Sequence, residues 1–557
     1  MRHPSFQSAS PHVVGKRLLR TFDTTLRDGL QGRGISTTLD GELAIAQALL
    51  DVGFDTIEAG CPATSEAEFQ RVQQIVEMAQ DYRSRIAAFA ACDDRTLDRA
   101  KQALDRAGDR GVISLLTSVS LHHLRILFSN GNPFPYRQAT EHYAKYTRQA
   151  SENGSRDVHV YLEDATRANR RYLTTELIPA LCEAGATTIS DCDTTGQANS
   201  PTWYRRHVHD IRDAVRSSSS RTLVSVHTHG DLGLAVANGL AAVDEHDDED
   251  GPGVDQVEGT ILGWGERIGN MSWEQFLYSL HRGPHRFRRS VDLTLGMYGR
   301  ALRKFIEHTG AQIDPKKPLV GDDSHRTKAG LHQAKLRKDL KTYLAIDPRF
   351  LGLKGPSDIA VFGPGSGRNA ILQAIEESGF NHQLVKKHDP RLDMVREEAV
   401  ALARTTQEGD IPLEVVAALA LDHIEDGRRY ILESLSYGAE AHQTNSESTP
   451  ETKSLTLTLT LRDTQQQDRV FTIQGKGERG LIAIACEILS ALTGVKLDVD
   501  ENGWQSRSIG KGKDAPEFIR ARLKNGNKFY NGVGLHPDST EAGIKAILRA
   551  FNSAMAT

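Results

Sequence analysis

The stretch "TLVSVHTHGDLGLAVANG", residues 222–239, decides how this chain is read. Its first half is apolar and β-branched, the composition of a strand buried on both faces. Its second half turns through glycines into small apolar residues at helical spacing. At the junction stand His227 and His229, followed by Asp231. Residues two apart on a strand point to the same side, so both imidazoles project together from a strand end. They are either two solvated histidines of a polar turn or part of a metal site. What else in the chain can reach that strand end separates the two.

The strand-then-helix unit recurs. Short apolar runs are "RLLRTFDTT", "FDTIEAG", "RIAAFAA", "GVISLLTSV", "DVHVYLED", "TTISDCDTTG", "TLVSVHTHG" and "QVEGTILG". Between them lie helical patterns such as "LDGELAIAQALLDVG" and "LTTELIPALCEAG". Eight such units predict a (β/α)8 TIM barrel over residues 17–285. A doubly wound sheet would seldom need eight regular units. Residues 1–16 read as an N-terminal tail and 286–440 as a helical subdomain, because the strand rhythm stops there. The polar segment 441–454 reads as a linker, and 455–557 as a small α/β domain of regulatory or dimerisation type, opening on the alternating "LTLTLTLRD". No internal repeat is evident.

With 557 residues the chain exceeds a single core, in line with this division. A net charge of −5 with both signs interspersed provides no basic field for nucleic acid. No apolar run approaches the roughly 20 residues that cross a bilayer. Five scattered cysteines without a CxxC pair point to a reducing, cytoplasmic setting and away from a thiolate zinc site.

In such a barrel the active site lies at the C-terminal strand ends. Strand one leads to Arg27, Asp28 and Gln31, and strand five to Glu163 and Asp164. Strand six leads to Asp193 and Thr194, strand seven to His227 and His229, and strand eight to Glu266, Arg267 and Asn270. All these polar groups fall at one end. Two imidazoles and a carboxylate make a facial metal site with open positions. Asp28, beside strand eight in a closed barrel, is the carboxylate of choice. Zinc, manganese and magnesium all suit that set. A divalent ion there can chelate the carboxylate and keto oxygens of a 2-oxo acid, and Arg27 beside it can balance growing charge. The alternative for Arg27 is a structural ion pair with Asp28 or Glu266. For Glu163 and Asp193 it is a salt bridge or cap, and for Thr194 an N-cap.

The motifs "FDTTLRDGLQ", "EAGCPATSEAEF", "EDATR", "DTTG", "HTHGDLGLAVAN" and "GWGERIGN" resemble the serial signatures of the DRE-type barrel metalloenzymes. Within them the resemblance is to the acetyl-CoA-dependent alkylmalate synthases: 2-isopropylmalate, homocitrate and citramalate synthases. The stretches "KAGLHQAKLRKDLKTYLAIDPRFLG", "GPGSGRNAI" and "YNGVGLHPDSTEAGIKAILRAFNSAM" resemble that family's later segments. The resemblance implies a metal held by Asp28, His227 and His229 with Asn270 close by. It also implies contacts from Arg27, Gln31, Glu163 and Thr194 to a 2-oxo acid. Proton transfers would fall to Glu266 and His332, assisted by Tyr343, the last two acting across a homodimer. It further implies acetyl-CoA as co-substrate and an amino-acid effector at the C-terminal domain. Aryl-substituted malate synthases and related carbon–carbon lyases remain alternatives. Departures from the family pattern are Gly230, Leu30, Thr327 and "GKGERGLIAIA".

Overall fold

The computed structural model describes residues 17–555 apart from 129–134, 153–156, 245–252, 284–286, 288, 328–331, 333–334, 336–338, 344–346, 354–360, 379–384, 387, 408, 425–427, 442–452, 478–479, 512–514 and 527. These residues form two compact units, 1–324 with 347–355 and 325–346 with 356–557.

The first unit is built on a closed barrel of eight parallel strands. They are β1 (Arg20–Asp23), β2 (Thr56–Gly60), β3 (Arg85–Ala91), β4 (Gly111–Ser118), β5 (Asp157–Glu163), β6 (Thr188–Asp193), β7 (Leu223–Thr228) and β8 (Gln256–Gly259). Closure comes from β1 against β8, with Arg20 opposite Gln256 and Asp23 opposite Gly259. Each strand lies inside one of the eight apolar runs. Outward residues such as Val224 and Val226 are buried under the helical layer, and inward Phe22, Ala87 and Val112 pack together inside the barrel.

The connecting helices start and stop where their sequence directs. In α1 (Leu39–Val52) the Thr38 side chain accepts from the Gly41 amide, and Gly53, at φ 86°, ends the helix in the left-handed region. Ile45, Leu49 and Val52 fall on one stripe, and all three are fully buried in the core. Because every strand is parallel, all eight C-terminal ends open at one mouth, where the polar residues read from the sequence collect.

The sequence-derived helical region 286–440 is divided by the structure. Its helix Tyr298–Thr309 packs into the barrel's own core through Tyr298 and Phe305. The helices Arg368–Glu377, Arg391–Ala403 and Leu413–His423 belong to the second unit. That unit also holds β9 (Tyr430–Ala441), β10 (Lys453–Asp463) and β11 (Arg469–Gly477) in one antiparallel sheet. A second antiparallel sheet contains β12 (Asp498–Ser508), β13 (Glu517–Asn525) and β14 (Lys528–His536). A helix follows each sheet, Leu481–Thr493 after the first and Ser539–Met555 after the second. The C-terminal domain is therefore a repeated βββα arrangement, where no repeat was expected. The pattern hides because β9 lacks period-two burial: residues 436–439 are exposed, and pairing with β10 defines the strand. β9 thus extends the domain upstream of the expected 441–454 linker, most of which lies outside the described residues. Among the described residues, no helix is long and apolar enough to cross a membrane.

Candidate active site

Three of the expected residues converge at the barrel mouth. One ligand atom each from Asp28, His227 and His229 lies within 4.8 Å of the others, and all three residues are buried. The Nε2 atoms of His227 and His229 stand 3.2 Å apart, and His227 Nε2 is 3.3 Å from Asp28 Oδ2. Metal–ligand bonds of ~2.1 Å at angles of about 90–110° require donors spaced ~3.0–3.4 Å, so these pairs fit a bound cation. A second observation supports the fit. Asn270 Oδ1, on the amide that contacts Asp28, is buried with no hydrogen-bond partner among the described residues. Asn270 Nδ2 donates to Asp28 Oδ1 at 3.1 Å and to the Trp264 carbonyl at 3.1 Å, so its amide braces the carboxylate.

The electrostatics of the triad are lopsided. Burial opposes ionisation of Asp28, but the Arg27 guanidinium and His227 outweigh it and hold the carboxyl well below the usual range. Burial also works against charge on His227, yet hydrogen bonds to Asp28 and Glu258 push it up to about 9. His229 goes the other way, to about 3, through burial and the neighbouring His227 charge.

Arg27 is pinned on two sides. Its Nε donates to Glu58 Oε2 at 2.7 Å and its Nη1 to Asp28 Oδ2 at 3.1 Å. Its guanidinium also lies 5.0 Å from the Phe89 ring centroid and 5.5 Å from that of Tyr161. Of the ion pairs weighed from the sequence, the one with Asp28 forms, and Glu58 stands where Glu266 was considered. Glu266 pairs loosely with Arg267 at 3.6 Å and is largely exposed.

The remaining expected residues sort themselves by their partners. Thr194 Oγ1 accepts from the Asp164 backbone amide at 2.8 Å, which leaves its own proton free to donate. Glu163 accepts from Ser118 Oγ and lies 3.6 Å from His123 Nδ1. Asp193 ties down the loop after β6: it accepts from Thr166 Oγ1 and from the Gln197 and Ala198 amides, and it is fully buried, while Ser200 caps the helix that follows. Gln31 ends the short turn Gly29–Gln31 after Asp28, with an exposed side chain. His332 and Tyr343 lie in the second unit, where their rings stack with centroids 4.1 Å apart.

Sequence reading missed Glu58 and Glu258. Both are fully buried carboxylates, one behind Arg27 and the other behind His227. A signal existed in "DTIEAG" and "QVEGT". A glutamate amid apolar neighbours in a doubly covered strand cannot face the helical layer and must point into the barrel.

The barrel and its mouth define a class, and comparison with known proteins bears this out. Residues 19–297 match the HMGL-like family, and residues 417–555 match the LeuA allosteric (dimerisation) domain. The 2-isopropylmalate synthase of Pyrococcus furiosus is 30% identical over 542 residues, covering 96% of this chain and 99% of that one. That of Pyrococcus abyssi is 34% identical over 380 residues, covering 67% and 72%. That of Rhodopirellula baltica is 29% identical over 552 residues, covering 99% and 97%. The chain belongs to the HMGL-like barrel proteins and, within them, to the 2-isopropylmalate synthase family.

Proposed function

We propose that the protein joins acetyl-CoA to a 2-oxo acid, giving a 2-substituted malate and free CoA, in a reaction of the 2-isopropylmalate synthase type. One observation carries this reading. Asp28, His227 and His229 meet at the mouth of a barrel whose chain matches such a synthase over 96% of its length. These three residues would hold a divalent cation, with Asn270 beside them. Zinc, manganese and magnesium all suit the donor set. Bound there, the cation supplies Lewis acidity toward the keto oxygen and a two-point hold on the 2-oxo acid.

The chain's own residues supply the rest. Arg27, immobilised by Glu58, offers positive charge where the keto oxygen becomes an alkoxide. Thr194, its oxygen occupied by the Asp164 amide, donates its proton to the substrate carboxylate. Glu163 and Gln31 complete the polar wall around it. Glu266 and His332 carry protons, with Tyr343 assisting. A base removes a methyl proton from acetyl-CoA, and the carbanion forms a bond to the keto carbon. The keto oxygen takes the displaced electron pair and then a proton. Water cleaves the thioester, releasing CoA as the thiol and leaving the second carboxylate. General-base assistance of this kind contributes typically about 10²–10⁴-fold.

His332 and Tyr343 act on the barrel of a partner chain, with dimerisation through the region matching LeuA. The same region is the place for an amino-acid effector. Five free cysteines support a reducing, cytoplasmic setting. The test is CoA release from acetyl-CoA across a panel of 2-oxo acids, from pyruvate and 3-methyl-2-oxobutanoate to 2-oxoglutarate and arylpyruvates, with products confirmed by mass. Release with one acid is expected, with a product whose mass is that of the 2-oxo acid plus acetic acid. No release with any acid overturns the proposal.

A further inference from the structure

Glu258 lies on β8, between β7, which carries His227 and leads to His229, and β1, which leads to Asp28. It is 1% exposed. Its Oε2 faces His227 Nδ1 at 3.1 Å. Its Oε1 accepts from Ser190 Oγ at 2.5 Å and Ser225 Oγ at 2.7 Å, and lies 3.1 Å from His159 Nε2. Ser225 Oγ in turn accepts from Gln256 Nε2 at 3.2 Å. Every one of these partners belongs to the barrel, and the carboxylate is buried among them. A carboxylate acceptor at Nδ1 fixes the proton there and turns the Nε2 lone pair toward Asp28 and His229. The two histidines differ in this respect. His229 Nδ1 is buried with no hydrogen-bond partner among the described residues, so none of them fixes its tautomer from behind.

We infer that Glu258 is a positioning residue for the cation site: it holds His227 as the rigid arm of the triad, while His229 is the adaptable one. This rests on the proposal that Asp28, His227 and His229 hold a divalent ion. The two are tested separately by one experiment on the full-length chain. Zinc affinity is measured by competition with a chromophoric chelator, and site geometry by the visible absorption of the cobalt(II) form. Wild-type protein and Glu258→Gln are compared, with folding of each checked by circular dichroism. The expected result is stoichiometric zinc in the wild type and roughly 10–100-fold weaker binding in folded Glu258→Gln. The cobalt spectrum should also be altered. A structural role for Glu258 alone would lower the melting temperature without moving either metal readout. Equal zinc affinity and an unchanged spectrum in the variant overturn the inference and leave the cation site standing. Absence of stoichiometric zinc and cobalt from the wild type overturns both. Should Glu258→Gln fail to fold, Ser190→Ala removes one brace of the carboxylate without touching His227. A smaller weakening is then expected, and unchanged affinity overturns the inference.

Discussion

His227 and His229 bring their Nε2 atoms to 3.2 Å, but among the described residues only His227 has a partner for its far ring nitrogen, Glu258. Removing either ring should take more than about 100-fold from cation affinity if each is the direct ligand proposed above. Their effects on the metal-free fold should differ. His227→Ala leaves the buried Glu258 carboxylate short of a partner and should lower stability by about 1–3 kcal/mol. His229→Ala removes a ring whose Nδ1 has no partner and should cost less. Denaturant unfolding of the metal-free variants checks this, and equal losses would contradict it.

Arg27 spans Glu58 and Asp28 with a planar fork that lysine cannot copy. Arg27→Lys should lower kcat by about 10²–10³, the usual effect of losing one preorganised group at a developing oxyanion. Arg27→Ala should in addition destabilise the fold by roughly 3–5 kcal/mol, because Glu58 stays buried and unpaired. Steady-state kinetics and chemical unfolding separate the two effects. A lysine variant with wild-type kcat would remove Arg27 from the chemistry.

The loops after β7 and β8 depend on their glycines unequally. Gly269 sits at φ 98°, and a Cβ there would collide with the Gly263 carbonyl oxygen. Gly269→Ala should distort the loop that carries Glu266 and Asn270, with loss of both metal affinity and CoA release. Gly230, where the family pattern has asparagine, is different. A Cβ there meets the Gly269 oxygen and Ile268 Cγ2 at 3.5 Å, an ordinary contact. Gly230→Asn should shift stability by less than about 1 kcal/mol, and a thermal melt decides.

Outside the mouth, His207 is buried against Asp191, with Nε2 3.0 Å from Oδ1. Burial alone lowers its pKa, but the Asp191 charge and hydrogen bond outweigh this and raise it above 6.5. A folded pKa above the unfolded one means that the contribution is complete below about pH 6.5 and fades as pH rises through the folded value. The melting-temperature gap between wild type and His207→Gln should therefore be wider at pH 6 than at pH 9. A gap independent of pH would show that the pair contributes by packing alone.

What the sequence revealed and what it hid follow from the same physics. The eight barrel strands were legible because two-sided burial leaves unbroken apolar runs, and each run ends in its polar cluster at the mouth. Asp28, His227 and His229 could be joined because barrel closure places strand one beside strand eight. Glu58 and Glu258 were overlooked because a lone acid in a strand resembles a solvent-facing interruption until the helical layer is known to cover that face. β9 was read within the helical region because its far half is held by backbone pairing, which leaves no hydropathy pattern.

If Asp28, His227 and His229 hold a divalent cation needed for condensation, metal content and activity rise and fall together. The most direct measurement pairs metal content with CoA release on the same preparation, before chelation, after it, and after metal is restored. One divalent ion per chain is expected, with loss of release on chelation, recovery on restoration, and neither ion nor release in Asp28→Ala. Undiminished CoA release and product from metal-free protein would contradict it.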